Sequence, residues 1–238
     1  VPALAFSQEA GGLVEGVVSP GPTATFGTII TAGSILIASV AVNVSGSFLG
    51  RYLGLSVSDN NGNTWRQLGS LVTEPQLDAL GWAFFWVASA NSGSTQAQAQ
   101  LTCTTGSNTC SIAAAEFVKS AGTWEALNGW GQPRSGTNPA SPVTGPTFVP
   151  PGKPCLFVAS GVGTRVDFAE SDTGLNLLTT RVPTAYRHCT SYVVEPQQVT
   201  PGYTWTGSDF VILGAAQMVN NAKVGDYPVQ LAGRGANR

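Results

Sequence analysis

From residue 13 to residue 219 the chain alternates short apolar runs with breaks rich in glycine, asparagine and serine, and it lacks any long helical period. Strand-like runs fall at 13–18, 23–30, 34–44, 53–59, 64–68, 80–88, 96–103, 110–119, 148–161, 176–182, 186–195, 203–205 and 209–219. Turn-forming clusters such as Asn60-Asn61-Gly62-Asn63, Asn91-Ser92-Gly93 and Pro201-Gly202 separate them. This rhythm predicts an all-β chain, a single large antiparallel β-sandwich of jelly-roll type over 13–219, rather than alternating strands and helices.

Alternation assigns faces within the strands. In the run 35–44, Leu36, Ala38, Val40, Val42 and Val44 are all apolar, so this face is predicted to be core, with Ile212 joining it. The run 80–88 is apolar on both sides, Trp82, Phe84 and Trp86 against Ala83, Phe85 and Val87, which predicts a strand covered twice or meeting a partner. Residues 1–12 lack a period and read as an N-terminal arm, and 220–238 as a C-terminal arm. Six prolines and five glycines in 120–151 predict a long surface connection between two halves of one sandwich, the alternative being a split into two domains there. Arms of this composition bury too little to order themselves, so Leu4, Phe6, Tyr227, Val229 and Leu231 are expected to anchor them on neighbouring subunits.

Charge removes several functions from consideration. Eleven basic and thirteen acidic side chains leave a net charge of −2, without the basic surface that a nucleic-acid partner requires. No apolar run reaches the roughly 18 residues of a membrane helix. The chain starts at Val1 without a charged and apolar leader, which reads as a processed, exported protein.

The cysteines agree with an oxidising compartment. Cys103 and Cys110 bracket Thr-Thr-Gly-Ser-Asn-Thr, and the spacing predicts a disulfide across a hairpin. By elimination Cys155 would pair with Cys189, the alternative being two buried thiols. Zinc is disfavoured by the absence of a C-x₂-C pair and by the single histidine, His188.

The segment Ser56-Val57-Ser58-Asp59-Asn60-Asn61-Gly62-Asn63-Thr64-Trp65, then Trp82-Ala83-Phe84-Phe85-Trp86-Val87-Ala88, then Ile112-Ala113-Ala114-Ala115-Glu116-Phe117, resembles a jelly-roll-type module of exported bacterial and phage proteins. Pro154 to Gly161 and Phe210 to Met218 match its last third, so the likeness covers residues 15–219 or thereabouts. The resemblance implies a surface or virion component, with no catalytic residues to carry over.

Candidate sites are few. Asp59, Asn61 and Asn63 suggest calcium, but Gly62 is fourth in the loop where an EF-hand needs it sixth, and a tight turn at Asn61-Gly62 explains them as well. Asp167, Glu170 and Asp172 form an acidic loop, read as solvated charge. His188 beside a serine or cysteine, and Glu116 with Glu125, are the only material for general acid–base chemistry, and no nucleophile elbow, metalloprotease helix or phosphate loop accompanies them. Trp124 and Trp130 are the best candidates for stacking on a sugar. The sequence therefore predicts a protein that is not an enzyme and holds no metal or cofactor. It reads as a structural subunit of an extracellular, cell-surface or virion-surface assembly, partnered by copies of itself or other subunits. The alternative is a carbohydrate-binding or adhesion module.

Overall fold

The computed structural model describes residues 4–17, 21–44, 52–73, 80–103, 108–119, 122–137, 143–144, 147–148, 153–165, 167–171, 174–178, 180, 186–194 and 198–220. The anchors Tyr227, Val229 and Leu231 lie outside them, as does Asp172. The described residues form strands and no helix, so none is long and apolar enough to cross a membrane. In chain order the strands are β1 (Leu4–Val17), β2 (Thr23–Thr25), β3 (Ile35–Val44), β4 (Tyr52–Asp59), β5 (Arg66–Thr73), β6 (Leu80–Val87), β7 (Gln96–Cys103) and β8 (Asn108–Lys119). They continue as β9 (Trp124–Thr137), β10 (Val143–Thr144), β11 (Cys155–Gly163), β12 (Ala169–Glu170), β13 (Asn176–Leu177), β14 (Arg187–Val194), β15 (Gly202–Thr204) and β16 (Ser208–Asn220).

Among the described residues all strand pairings are antiparallel and build four sheets. The first large sheet has the order β1-β8-β3-β6-β5 and the first small sheet β2-β7-β4. The second large sheet has the order β9-β16-β11-β14-β13 and the second small sheet β10-β15-β12. Adding eight to each strand number of the first pair of sheets gives the second pair, so residues 4–119 and 124–220 trace one topology twice. Four sheets stand where the sequence predicts the two of a simple sandwich.

The sheets stack through three layers of apolar side chains. Leu36, Ala38, Val40 and Val42 of β3 meet Ala24, Leu55, Val57 and Ala97 of the first small sheet. On the opposite side of the same strand, Ile35, Ile37 and Ala41 pack with Trp82, Phe84 and Trp86 of β6 against Leu156, Val158, Ile212, Ala216 and Met218 of the second large sheet. Phe157, Ala159, Phe168, Tyr203, Trp205, Leu213 and Ala215 fill the space behind that sheet. β3 and β6 are thus covered on both faces. Ile212 belongs to the layer between the large sheets, not to the one holding Leu36, Val40 and Val42.

Two segments expected to be irregular are strands. Residues 4–12 are not an arm: they are the first part of β1, paired with β8 from Leu4 opposite Lys119 to Gly12 opposite Ile112. A register shift between Phe6 and Gln8 explains why no period is visible. Before it, Leu4 turns toward the layer between the large sheets; after it, Ala10 turns toward the first small sheet. Leu4 is a core residue, and Phe6 stacks on Tyr192 of β14 with centroids 4.9 Å apart, Phe117 meeting both rings edge-on. Within 120–151, residues 124–137 form β9 at the edge of the second large sheet, where Pro133 is tolerated because an edge strand leaves amides unpaired on one side.

Candidate functional site

Among the described residues, a cluster of buried polar groups lies between the two large sheets. On the apolar inner face of β3, the short side chain of Ser39 takes the place of an aliphatic residue, and Ser111 does the same on β8, one strand away. From the other sheet come Ser160 on β11 and, on or just before β14, Tyr186, His188 and Thr190. Ser39, Ser111, Ser160 and His188 are fully buried.

Hydrogen bonds across the seam connect them. Ser39 Oγ lies 2.8 Å from His188 Nε2, and Ser111 Oγ lies 2.9 Å from His188 Nδ1. Ser39 accepts from Trp82 Nε1 at 3.0 Å and donates to Ser160 Oγ at 3.0 Å, which donates to the Cys189 carbonyl at 2.9 Å. Tyr186 Oη is 2.9 Å from both the Ala41 carbonyl oxygen and Ser111 Oγ. Burial pushes the Tyr186 phenol well above its ordinary value, with the Cys110 thiol and the Glu15 carboxylate adding to the shift.

Trp82 reaches this network through a notch made of glycine. Gly131 of β9 and Gly214 of β16 are cross-strand partners, and a Cβ at either would overlap the Trp82 ring or Val72 beside it. The absence of two side chains lets an indole lie on a sheet's backbone with its N–H aimed at Ser39.

A serine 2.8 Å from an imidazole has the geometry of a nucleophile with its base. Here the serine, the imidazole and the hydroxyl beyond it are sealed between two sheets, with apolar side chains on every side. In this setting the groups satisfy one another, as buried polar groups must, and fix the register of one sheet against the other. Sequence reasoning singled out His188 but not Ser39, Ser111 or Ser160; the available signal was a serine within an apolar stretch of each of β3, β8 and β11.

The remaining candidates are held apart. Asp59 is a hub: its Oδ1 accepts from the amides of Asn61 and Asn63 at 2.9 and 3.1 Å, and its Oδ2 from Asn63 Nδ2 at 2.9 Å and Trp65 Nε1 at 2.6 Å. Donors occupy both oxygens, which is the environment of an anion acceptor rather than of a cation ligand. The segment is also not a hairpin, because β4 and β5 belong to different sheets and the loop arches between them, with Gly62 at φ 69°. Asn61 and Asn91 exchange side-chain bonds to each other's carbonyls at 2.8 and 3.0 Å, tying this arch to the one after β6.

Asp167 accepts from the Thr206 amide at 2.8 Å and sits 3.6 Å from Arg165, while Glu170 accepts from Ser191 at 2.7 Å. Hydrogen bonds from Thr206, its side chain first, hold the Asp167 carboxyl below its usual range, with Arg165 contributing. Among the described residues no group of three acidic, histidine or cysteine side chains is placed to hold a metal. Glu116 is buried and accepts from Gln8 Nε2 at 2.8 Å and the Thr31 amide at 2.7 Å, and Glu125 is exposed on a strand of the other large sheet, so the two are not a catalytic pair.

The expected disulfides are not formed at Cys110, Cys155 or Cys189, all of which are buried. Cys155 opens β11 whereas Cys189 stands opposite Gly161, six residues along it, a separation of about 20 Å at strand rise. A bridge tolerates a Cα separation of only about 7 Å. Cys103 and Cys110 lie on strands of different sheets rather than facing each other in a hairpin, and the Cys103 side chain lies outside the described residues. Trp124 is buried in the layer between the large sheets and cannot stack on a ligand; the side chain of Trp130 lies outside the described residues. Neither protein-family models nor curated proteins give a match to this chain.

Proposed function

We propose that the chain is a non-catalytic structural subunit of an extracellular or virion-surface assembly, built from two jelly-roll-type halves locked face to face. The observation that carries this reading is the fate of the residues best suited to chemistry. The only histidine and the serines beside it are consumed in joining two sheets. The strand orders β1-β8-β3-β6 and β9-β16-β11-β14 support a jelly-roll description of each half. β1 lies at the edge of its sheet and carries the partly exposed Phe6 and Leu13, an edge open to a neighbouring subunit.

With residues 4–12 incorporated in a sheet, the docking role falls to the C-terminal segment, whose Tyr227, Val229 and Leu231 alternate as a strand would. Electron microscopy and sedimentation of the full chain, and of a chain ending at Asn220, test this. Large regular particles from the first and monomers from the second are expected. A monomeric full chain that is retained on polysaccharide would replace this reading with the adhesion module.

A further inference from the structure

The repeated strand order leaves a gap on one side of the seam. On the other side the edge strand β5 covers the edge strand β9, with the Val72 side chain lying directly on Gly131. Exchanging the two halves turns this pair into β13 over β1. Among the described residues β13 consists of Asn176 and Leu177, two residues where β5 has eight, so most of β1 lacks the cover that β9 has. Exposure marks the gap. Phe6 stands opposite Phe117 and Leu13 opposite Ser111, both of which face the seam, yet Phe6 is 39% and Leu13 41% exposed.

Residues 221–238 have the chemistry to fill it. Tyr227, Val229 and Leu231 share one face of an extended segment and offer apolar side chains to Phe6 and Leu13. β1 carries Glu9 and Glu15 and no basic residue, whereas 221–238 carry Lys223, Arg234 and Arg238 against one carboxylate, Asp226. When Tyr227, Val229 and Leu231 turn their backbone groups to β1, Pro228 falls among the residues facing away, where its missing N–H breaks no bond and blunts the new edge.

Direction decides whose segment it is. Gly122, three residues after Lys119, meets the Asn220 side chain, and Lys119 stands opposite Leu4, so the chain leaves β16 at the end of the seam where β1 begins. Laid along β1 from there, a chain's own segment would run parallel to it, in sheets whose described pairings are all antiparallel. The segment of a neighbour can enter antiparallel, which is the more stable pairing.

We propose that β1 accepts residues 226–232 of a neighbouring copy as an added antiparallel strand, with Tyr227, Val229 and Leu231 closing the seam over Phe6 and Leu13. This rests on the reading of the chain as an assembling subunit and adds what joins one copy to the next. Each copy carries one acceptor edge and one donor segment, a head-to-tail contact that builds a ring or a filament.

Full-chain variants separate the two sides of the contact. Leu13→Lys sets a cation on the acceptor edge against a basic segment and leaves the donor intact. Glu15→Arg, at an exposed side chain, takes its place if Leu13→Lys does not fold. Val229→Asp puts a charge into the donor and leaves the acceptor intact. Sedimentation is expected to give particles for the wild type and monomers for an acceptor or donor variant alone. Mixed in equal amounts the two should form dimers, because the intact donor of one enters the intact acceptor of the other once and no further. Particles from either variant alone, or variants that stay monomeric when mixed, would overturn the inference while wild-type particles leave the subunit reading standing. A monomeric wild type would overturn both.

Discussion

The indole of Trp82 lies so close over Gly214 that one methyl group added at that glycine would overlap the ring. The two residues belong to different large sheets, so this contact measures how tightly the halves of the chain are joined. Gly214→Ala is expected to cost about 1–3 kcal/mol through overpacking, and Trp82→Ala about 3–5 kcal/mol through the cavity it leaves. In the Trp82→Ala background the added methyl group falls into that cavity, so the cost of Gly214→Ala should nearly vanish. Strictly additive denaturation free energies would show that the two residues do not meet.

Asp59 anchors an arch through four donors, and Asp59→Ala strands all of them. A loss of about 2 kcal/mol is expected, the scale of hydrogen bonds to a charged group discounted for partial exposure. Adding calcium or a chelator should leave the thermal midpoint of the wild-type protein unchanged. A calcium-dependent rise in that midpoint would mean that a cation displaces the asparagine and tryptophan donors.

The thiols of Cys110 and Cys189 are raised by burial, which suppresses the reactive thiolate. Under non-reducing conditions both should resist alkylation in the native protein and react fully once it is unfolded. Recovery of a peptide linking Cys155 to Cys189 would require β11 and β14 to slide by about six residues, and would contradict the register.

Asp167 contributes to stability with a definite sign. Its folded-state value lies below the unfolded one, so its contribution is present above the unfolded value and disappears as pH falls through the folded one. The wild-type protein should therefore exceed Asp167→Asn in stability at neutral pH, the small gap closing below about pH 4. Parallel stability profiles for the two proteins down to that pH would show that Thr206 does not favour the carboxylate.

Strand content was legible because β3, β6, β11 and β16 are long apolar runs between turn residues, and residue composition fixes that much. The doubling of the topology was not. β12 and β13 have two residues each where their counterparts β4 and β5 have eight, so the second half carries too little pattern to align with the first. The strand at 4–12 is hidden in the sequence because a register shift inverts its alternation, and β9 because prolines and glycines at an edge look like a linker. Ser39 escaped notice because alternation marks one face of β3 as core but cannot tell solvent from a second sheet on the other face. The glycines of the notch are informative only after the indole is known to lie on them.

Hydrogen exchange across both halves tests most directly whether the seam joins them into one cooperative structure. Amides of β3 and β6 in the first large sheet and of β11 and β16 in the second should open with one common free energy. Trp82→Ala, although it alters a residue of the first half, should lower protection equally in all four strands. If protection falls in β3 and β6 while β11 and β16 keep theirs, the halves are independent and the seam is not what holds the protein together.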